Sequence, residues 1–373
     1  MSLKDVFCQD RAIGILQRGL AVDRPAHAYI FAGLEGVGKY KTAREWAKLL
    51  LCQNPQGKSD SFADSCGSCE SCTLLEAGSH PDYAHVYKEL LEYTREGKGK
   101  KPPLDLPIDV IREFLIEQVA IRPGLARRRV FVLSEAEKLN ANSQNALLKV
   151  LEEPPPYCTI ILLCTRLEQL LPTTRSRCQI LRFGPVEDGR ILAQLTGMGL
   201  GAGEAAFFAR LAQGSLGLAC QWARLQLEGA GLFEIKRDIV ASLAGYKLAE
   251  ALGLAERLQE NAKAVATSWA ALDKATSKSD LTRRATKTML QIVIAALRDV
   301  TIVHLAADRP LINADQPEPI AKLARRLDAD RALDMVREGY EMLRWLEDNV
   351  NERLIFERLL LRLARTAIMA AQD

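Results

Sequence analysis

The chain has 373 residues, 48% of them hydrophobic and 26% charged, enough for two or three domains with real cores and unlike a disordered protein. Lys+Arg 50 against Asp+Glu 47 leaves a formal net charge of +3, so no global basic field announces nucleic acid and any such contact must come from local patches. The opening MSLKDVFCQDRA carries charge where a signal peptide needs an apolar core, and no apolar run approaches the ~18 residues of a membrane span, so a cytoplasmic protein is expected.

The first element is a helix over residues 10–20, with Ile13, Leu16 and Leu20 on one face. A strand-like run, His27 to Ala32, then leads into Gly33-Leu34-Glu35-Gly36-Val37-Gly38-Lys39-Tyr40. Lys39 to Leu51 is rich in helix formers and would turn Trp46, Ala47, Leu50 and Leu51 inward. Strand, Gly-rich loop and helix in that order fit the phosphate-binding pattern G-x-x-x-x-G-K-[ST] in all but its last place. Such a loop gathers backbone N–H groups at a helix N-terminus into an anion site, and its lysine reaches the outer phosphates. Tyr40 stands where a Ser or Thr hydroxyl would meet Mg²⁺, and its phenol lies too far out on a rigid ring to replace it. From these residues alone, a nucleotide loop and an incidental Gly-rich turn both stay open.

Nine cysteines in a chain this long are not a disulfide scaffold, so their clustering matters more than their number. Cys52 is followed by Cys66, Cys69 and Cys72, the last three separated by two residues each. Four thiolates with such spacers can surround Zn²⁺ tetrahedrally, and a closed Cys₄ site leaves no open position, so its expected role is structural. Four unrelated buried cysteines or a redox C-x-x-C pair are the alternatives. Cys8, Cys158, Cys164, Cys178 and Cys220 are scattered and read as small core residues.

A strand is expected over 83–87. The basic, helix-breaking stretch from Gly97 to Pro103 reads as a solvated loop rather than a nucleic-acid patch. Residues 109–121 return to helical spacing through Val110, Phe114 and Val119, and Val130 to Leu133 read as a buried parallel strand. That strand ends at Ser134-Glu135. P-loop enzymes place there an Asp for Mg²⁺ and usually a Glu for the attacking water; Ser134 is a weak ligand for a hard cation, and only Glu135 offers a carboxylate. A helix over 142–152 stops at Pro154-Pro155. A second buried strand, 159–164, leads to Thr165 and then to Pro172-Thr173-Thr174-Arg175-Ser176-Arg177-Cys178. Taken alone, Arg177 reads as a surface ion-pair residue.

The phosphate loop, the inserted Cys knuckle, the run NALLKVLEEPP and the triplet Ser-Arg-Cys, in this order, resemble the bacterial clamp-loader family of AAA+ proteins over residues 5–220. The resemblance implies an α/β P-loop AAA+ domain over 1–183 with its zinc module at 52–72. It further implies a small helical lid over 184–244 and an all-α collar over 245–373 where subunits oligomerise. In that family an ATP-bound hetero-pentamer opens a ring-shaped sliding clamp, places it on primed DNA and hydrolyses ATP. The implied partners are γ/τ and δ subunits, with the clamp and primer–template DNA met through the complex, inside a DNA polymerase III assembly.

By the resemblance, Gly33, Gly36, Gly38 and Lys39 form the phosphate loop, Glu135 is the water-positioning carboxylate, and Thr165 is the sensor hydroxyl. Arg177 is the arginine finger, acting in trans on a neighbour's nucleotide. A motor subunit would carry Ser or Thr at Tyr40, Asp at Ser134 and Arg at Gly217, and all three are missing here. The chain is therefore expected to be a scaffold-type subunit, ATPase-defective on its own. Nucleotide at the loop stays an open question and Mg²⁺ is not expected. A catalytic ATPase with atypical ligands and a zinc-knuckle nucleic-acid-binding module on a degenerate P-loop are the competing readings.

Beyond Gly184-Pro185 the core candidates are Leu192, Leu195, Phe207, Phe208 and Leu211 in the lid. In the last third, Met289, Ile292, Val293, Leu297 and Val300 form one helical face, and Leu354, Leu359, Leu360 and Leu363 another.

Overall fold

The four expected strands form and a fifth, not anticipated from its sequence Gln-Ile-Leu-Arg, joins them in a parallel sheet: β1 (Ala28–Ala32), β2 (Tyr83–Val86), β3 (Arg129–Leu133), β4 (Cys158–Cys164) and β5 (Gln179–Arg182), in the order β2-β3-β4-β1-β5. The computed structural model describes every residue except 1, 23, 58–61, 100–104, 275, 306–307, 348–349 and 370–373, and the side chains of 365–369 are likewise not described. The chain forms two compact units, one of residues 1–187 with 214–217, the other of 188–213 with 218–373. The second takes in both the helices expected of a lid and those expected of a collar.

In the first unit both sheet faces are covered, as an all-parallel sheet requires. Ala28, Ile30 and Ala32 of β1 join Phe131, Leu133, Ile160 and Leu162 in a core on one face. Tyr29 and Phe31 point the other way, against Trp46, Val132 and Ile161. That second core is closed by α1 (Asp10–Ala21) and α2 (Lys39–Leu51). Trp46, Ala47, Leu50 and Leu51 are all buried, as their spacing requires. A short helix, α3 (Glu70–Glu76), carries the end of the cysteine cluster. Helical spacing over 109–121 becomes α4 (Ile108–Ile111) and α5 (Glu117–Val119) joined by a π-helical turn, Arg112–Ile116. The segment from Arg95 to Gly99 is turn, while Lys100 to Pro103 of the basic stretch lie outside the described residues. Helix α6 (Ala141–Glu152) is capped by Asn140, whose side chain accepts from the Ser143 N–H at 2.8 Å. It is followed by β4 and by α7 (Pro172–Arg175), which has proline in its first turn.

The second unit is helical throughout the described residues: α8 (Asp188–Gly197), α9 (Ala202–Leu211), α10 (Leu216–Leu227), α11 (Leu232–Gly245), α12 (Ala251–Leu272), α13 (Lys278–His304), α14 (Pro317–Ala324), α15 (Ala329–Trp345) and α16 (Glu352–Met369). The first two residues of α10 belong to the first unit. Leu195, Phe207, Phe208 and Leu211 are buried, but Leu192 is exposed, because α8 turns Ile191 and Leu195 inward instead. All five residues of the Met289 face are buried in α13. On α16, Leu359, Leu360 and Leu363 are buried, whereas Leu354 is exposed and Ile355 and Phe356 take the inner face. Cys158 and Cys164 are buried core residues, while Cys8, Cys178 and Cys220 are half-buried.

Phe31 packs its ring 5.1 Å from Phe183 and 6.1 Å from Tyr29 with no exposed surface. Truncating it leaves a cavity that a close-packed sheet face cannot collapse. Phe31→Ala should therefore cost about 3–5 kcal/mol in urea unfolding.

Candidate functional site: a closed phosphate loop and a cysteine cluster

The C-terminal ends of parallel strands are where α/β sheets hold ligands, and the register brings the expected positions there together. Ala32 of β1 lies beside Cys164 of β4, and Leu162 of β4 beside Leu133 of β3. Gly33, Ser134 and Thr165 thus leave adjacent strand ends, with the Gly33 N–H donating to the Cys164 carbonyl at 3.2 Å. The loop has the backbone its glycines allow: Gly36 and Gly38 sit at φ 74° and 103°, where a side chain is strained.

Lys39 does not point outward. Its Nζ donates to the carbonyls of Gly33 and Leu34, the latter at 2.7 Å, and the residue is 8% exposed. Burial pulls its pKa below the ordinary lysine value, against the opposing pull of Glu137 and Glu35. A further carbonyl of the loop is taken as well: the N–H of Gly217 donates to the Gly36 oxygen at 2.8 Å. A Cβ at 217 would stand 2.9 Å from the Gly36 Cα. The position expected to bear an arginine in a motor subunit is therefore one where backbone rests on the loop. Gln9 secures the other side, donating to the carbonyls of Val37 at 3.3 Å and Gly184 at 2.9 Å.

Tyr40 and Ser134, the two positions from which metal ligands are missing, meet on one side chain. The Tyr40 ring centroid lies 4.6 Å from that of His85, and His85 Nε2 is hydrogen-bonded to Ser134 Oγ at 2.8 Å. Tyr87 stacks on the far side of His85 at 4.9 Å. Burial pushes the His85 pKa down to about 4, so the imidazole is neutral at pH 7. The loop thus offers Mg²⁺ neither a hydroxyl of the right reach nor a carboxylate at 134, and the residues present do not fit that ion. The register-shifted hydroxyl of Thr42 is no substitute, since it is buried and donates to the Gly38 carbonyl at 2.9 Å. Glu135, in left-handed backbone at φ 54°, pairs with Lys138 at 2.5 Å. Thr165 donates from its backbone N–H to Glu137 at 3.2 Å, and from its hydroxyl to the same carboxylate oxygen. Arg177 is held away from this end of the sheet's loop, its guanidinium paired with Glu152 at 2.5 Å and donating to the Thr173 carbonyl at 2.9 Å.

The four expected cysteines converge. The sulfurs of Cys52, Cys66, Cys69 and Cys72 all lie within 4.8 Å of one another. Cys52 Sγ is 3.5 Å from that of Cys66 and 3.9 Å from that of Cys69, bracketing the roughly 3.8 Å edge of a tetrahedron with Zn–S bonds of about 2.3 Å. Backbone N–H groups point at the sulfurs, from Cys66 to Cys52 Sγ at 3.3 Å and from Cys69 to Cys66 Sγ at 3.4 Å. Hydrogen bonding from the Ser68 N–H leads the effects that hold the Cys66 thiol down to about 6, while burial pushes the thiols of Cys52 and Cys72 up, so it is the convergence of the four sulfurs that points to a metal. Ser71, between two of these cysteines, donates to the Leu51 carbonyl at 2.7 Å and is bonded to the buried His80 Nε2 at 2.7 Å. Sequence reasoning missed His80, His85, Gln9 and Glu137. Only His85 left a trace, as a histidine on the strand beside the one that ends at Ser134.

The family model described as DNA polymerase III, delta subunit, matches residues 8–187, and the model for that subunit's C-terminal part matches 254–365. The chain belongs to the DNA polymerase III delta-subunit family. It is 40% identical over 153 residues to the DNA polymerase III subunit delta′ of Pseudomonas aeruginosa, a match covering 41% of this chain and 42% of that protein. To the delta′ subunit of Escherichia coli it is 36% identical over 162 residues, 43% of either chain. The tau/gamma subunit of Haemophilus influenzae matches at 34% over 191 residues, 51% of this chain and 25% of that one. The matched stretches thus span less than half of these relatives' own lengths. This delta-family chain combines the parallel strand order β2-β3-β4-β1-β5 with a loop whose lysine and carbonyls are satisfied internally. Among its described residues no helix is long and apolar enough to cross a membrane.

A histidine whose folded pKa is about 4, below the ordinary 6.5, takes up its proton more readily in the unfolded chain. Stability should therefore be fully present above pH 6.5 and fall as the pH drops toward 4, by on the order of 3 kcal/mol from this residue. In urea unfolding across that range, His85→Gln should lose correspondingly less stability than the parent chain.

Proposed function

We propose that this chain is a non-catalytic, stator-like subunit of the DNA polymerase III clamp-loader complex. It assists loading of the sliding clamp on primed DNA and supplies Arg177 in trans to a neighbouring ATPase subunit. The observation that carries this reading is the closed loop: Lys39 is spent on the carbonyls of Gly33 and Leu34, and the Mg²⁺ positions hold Tyr40 and Ser134 around a neutral His85. Mg²⁺ spreads the charge that builds on a transferred phosphoryl group, so a site without its ligands loses hydrolysis even where phosphate still fits. Arg177 keeps a third of its side chain exposed, and an always-charged planar guanidinium suits phosphate oxygens across an interface.

The step served lies in the neighbour. A water oxygen bonds to the γ-phosphorus while the bond to the β–γ bridging oxygen breaks, the electron pair leaves on ADP, and the water proton passes to a base of the neighbour's site. Arg177 stabilises the charge on the equatorial oxygens as this happens. The partners proposed are γ/τ and δ subunits in a hetero-pentamer, with residues 184–244 as lid and 245–373 as collar.

The cysteine cluster we assign to structural zinc, held by Cys52, Cys66, Cys69 and Cys72. Its work is to tie the end of α2 to α3, since a closed S₄ site has no position for a substrate.

Two measurements test these readings. In a reconstituted complex, Arg177→Ala should lower DNA- and clamp-stimulated ATP turnover by about 10-fold or more while assembly on size exclusion is unchanged; the isolated chain should turn over no ATP. Turnover by the isolated chain that Lys39→Ala abolishes, or unchanged turnover in the Arg177→Ala complex, would overturn the respective half of the proposal. Separately, elemental analysis should find one zinc per chain, and Cys69→Ser should lose it together with thermal stability. A metal-free chain that melts no lower would refute the zinc assignment.

A further inference from the structure

We infer that Glu152 is a positioning residue for Arg177, holding the guanidinium in the orientation in which it meets the neighbour's phosphate; this rests on the trans-acting reading of Arg177 given above. Glu152 is the last residue of α6, whose end is set by the prolines that follow it. Its Oε1 lies 2.5 Å from one terminal nitrogen of Arg177, while the other terminal nitrogen donates to the Thr173 carbonyl at 2.9 Å and approaches Ser176 Oγ at 3.5 Å.

The frame that holds these groups is buried and specific. Gln144 of α6, 2% exposed, accepts from the Leu171 N–H at 2.7 Å and from the Thr174 hydroxyl at 3.5 Å. Its own amide donates to the Leu139 carbonyl at 2.9 Å. Helix α6 is thereby stitched to α7, the element that presents Arg177 two residues beyond its last turn. Helix packing thereby sets the distance between the backbones from which the carboxylate and the guanidinium reach each other.

An ion pair this exposed adds only about 0.2–1 kcal/mol to stability. Its consequence is geometric. A free arginine carries about 2 kcal/mol of rotamer entropy, and a side chain already held in its fork loses less on reaching phosphate. Glu152 and Thr173 each engage one terminal nitrogen of the guanidinium, and among the described residues Nε makes no hydrogen bond or ion pair. Sequence reading passed over Glu152 because it sits inside NALLKVLEEPP, where it reads as an ordinary helix-end carboxylate.

The test is a double-mutant cycle in the reconstituted clamp-loader complex, with kcat and KM for ATP measured in the presence of clamp and primed DNA. Glu152→Gln should lower kcat roughly 1.5- to 5-fold, the range that loss of one such contact spans, with KM and the melting temperature of the chain unchanged. Glu152→Asp should recover part of the loss, and Glu152→Gln should have no further effect in an Arg177→Ala complex. A rise in turnover would make the carboxylate a latch that competes with phosphate, and would overturn the inference. So would unchanged turnover in Glu152→Gln, or a loss that persists when Arg177 is already absent. An Arg177→Ala complex of unchanged turnover would instead sink the trans reading beneath it, so the two failures are distinct.

Discussion

A buried ammonium group needs oxygen partners, and in this chain the phosphate loop provides them from its own backbone. Lys39 closes on Gly33 and Leu34, and that closure organises everything around it. The loop becomes a self-contained turn between β1 and α2. The Gly217 N–H can rest on the Gly36 carbonyl, and Gln9 can clip Val37 to Gly184. Tyr40 leans on His85.

The same economy places the remaining chemistry elsewhere. The sheet's two buried faces supply much of the hydrophobic stabilisation of the first unit, and the cysteine cluster lies where α2 ends and α3 begins. Gln144 joins α6 to α7 with its whole amide engaged. Among the side chains exposed on this scaffold is the guanidinium of Arg177. Its ion pair with Glu152 is too wet to matter for folding and well placed to matter for orientation.

Much of this was legible in the sequence because it follows from local rules. Continuous apolar runs became buried parallel strands, Trp46 and its neighbours turned inward at helical spacing, and two-residue spacers brought Cys66, Cys69 and Cys72 to Cys52. Periodicity faltered where several apolar residues competed for one face. Leu192 lost to Ile191 and Leu195, and Leu354 to Ile355 and Phe356. The π-helical turn at 112–116 left no pattern, since an i→i+5 bond changes no residue type. The missing metal ligands could be read one by one, but their meeting on His85 could not, because it depends on the pairing of β2 with β3 across 49 residues of chain. Glu152 was hidden for the same reason: its partner is fixed by packing between helices.

The contact between Gly217 and Gly36 also bears on what a substitution could change. Once backbone has settled against the loop with a side chain's room removed, restoring an arginine there first requires the two strands of main chain to part. A hydroxyl at 40 would face a histidine that still holds Ser134, and a carboxylate at 134 would sit unpaired beside a neutral ring. On the proposed reading, each single substitution toward a metal site would therefore be opposed by the packing around the other two positions.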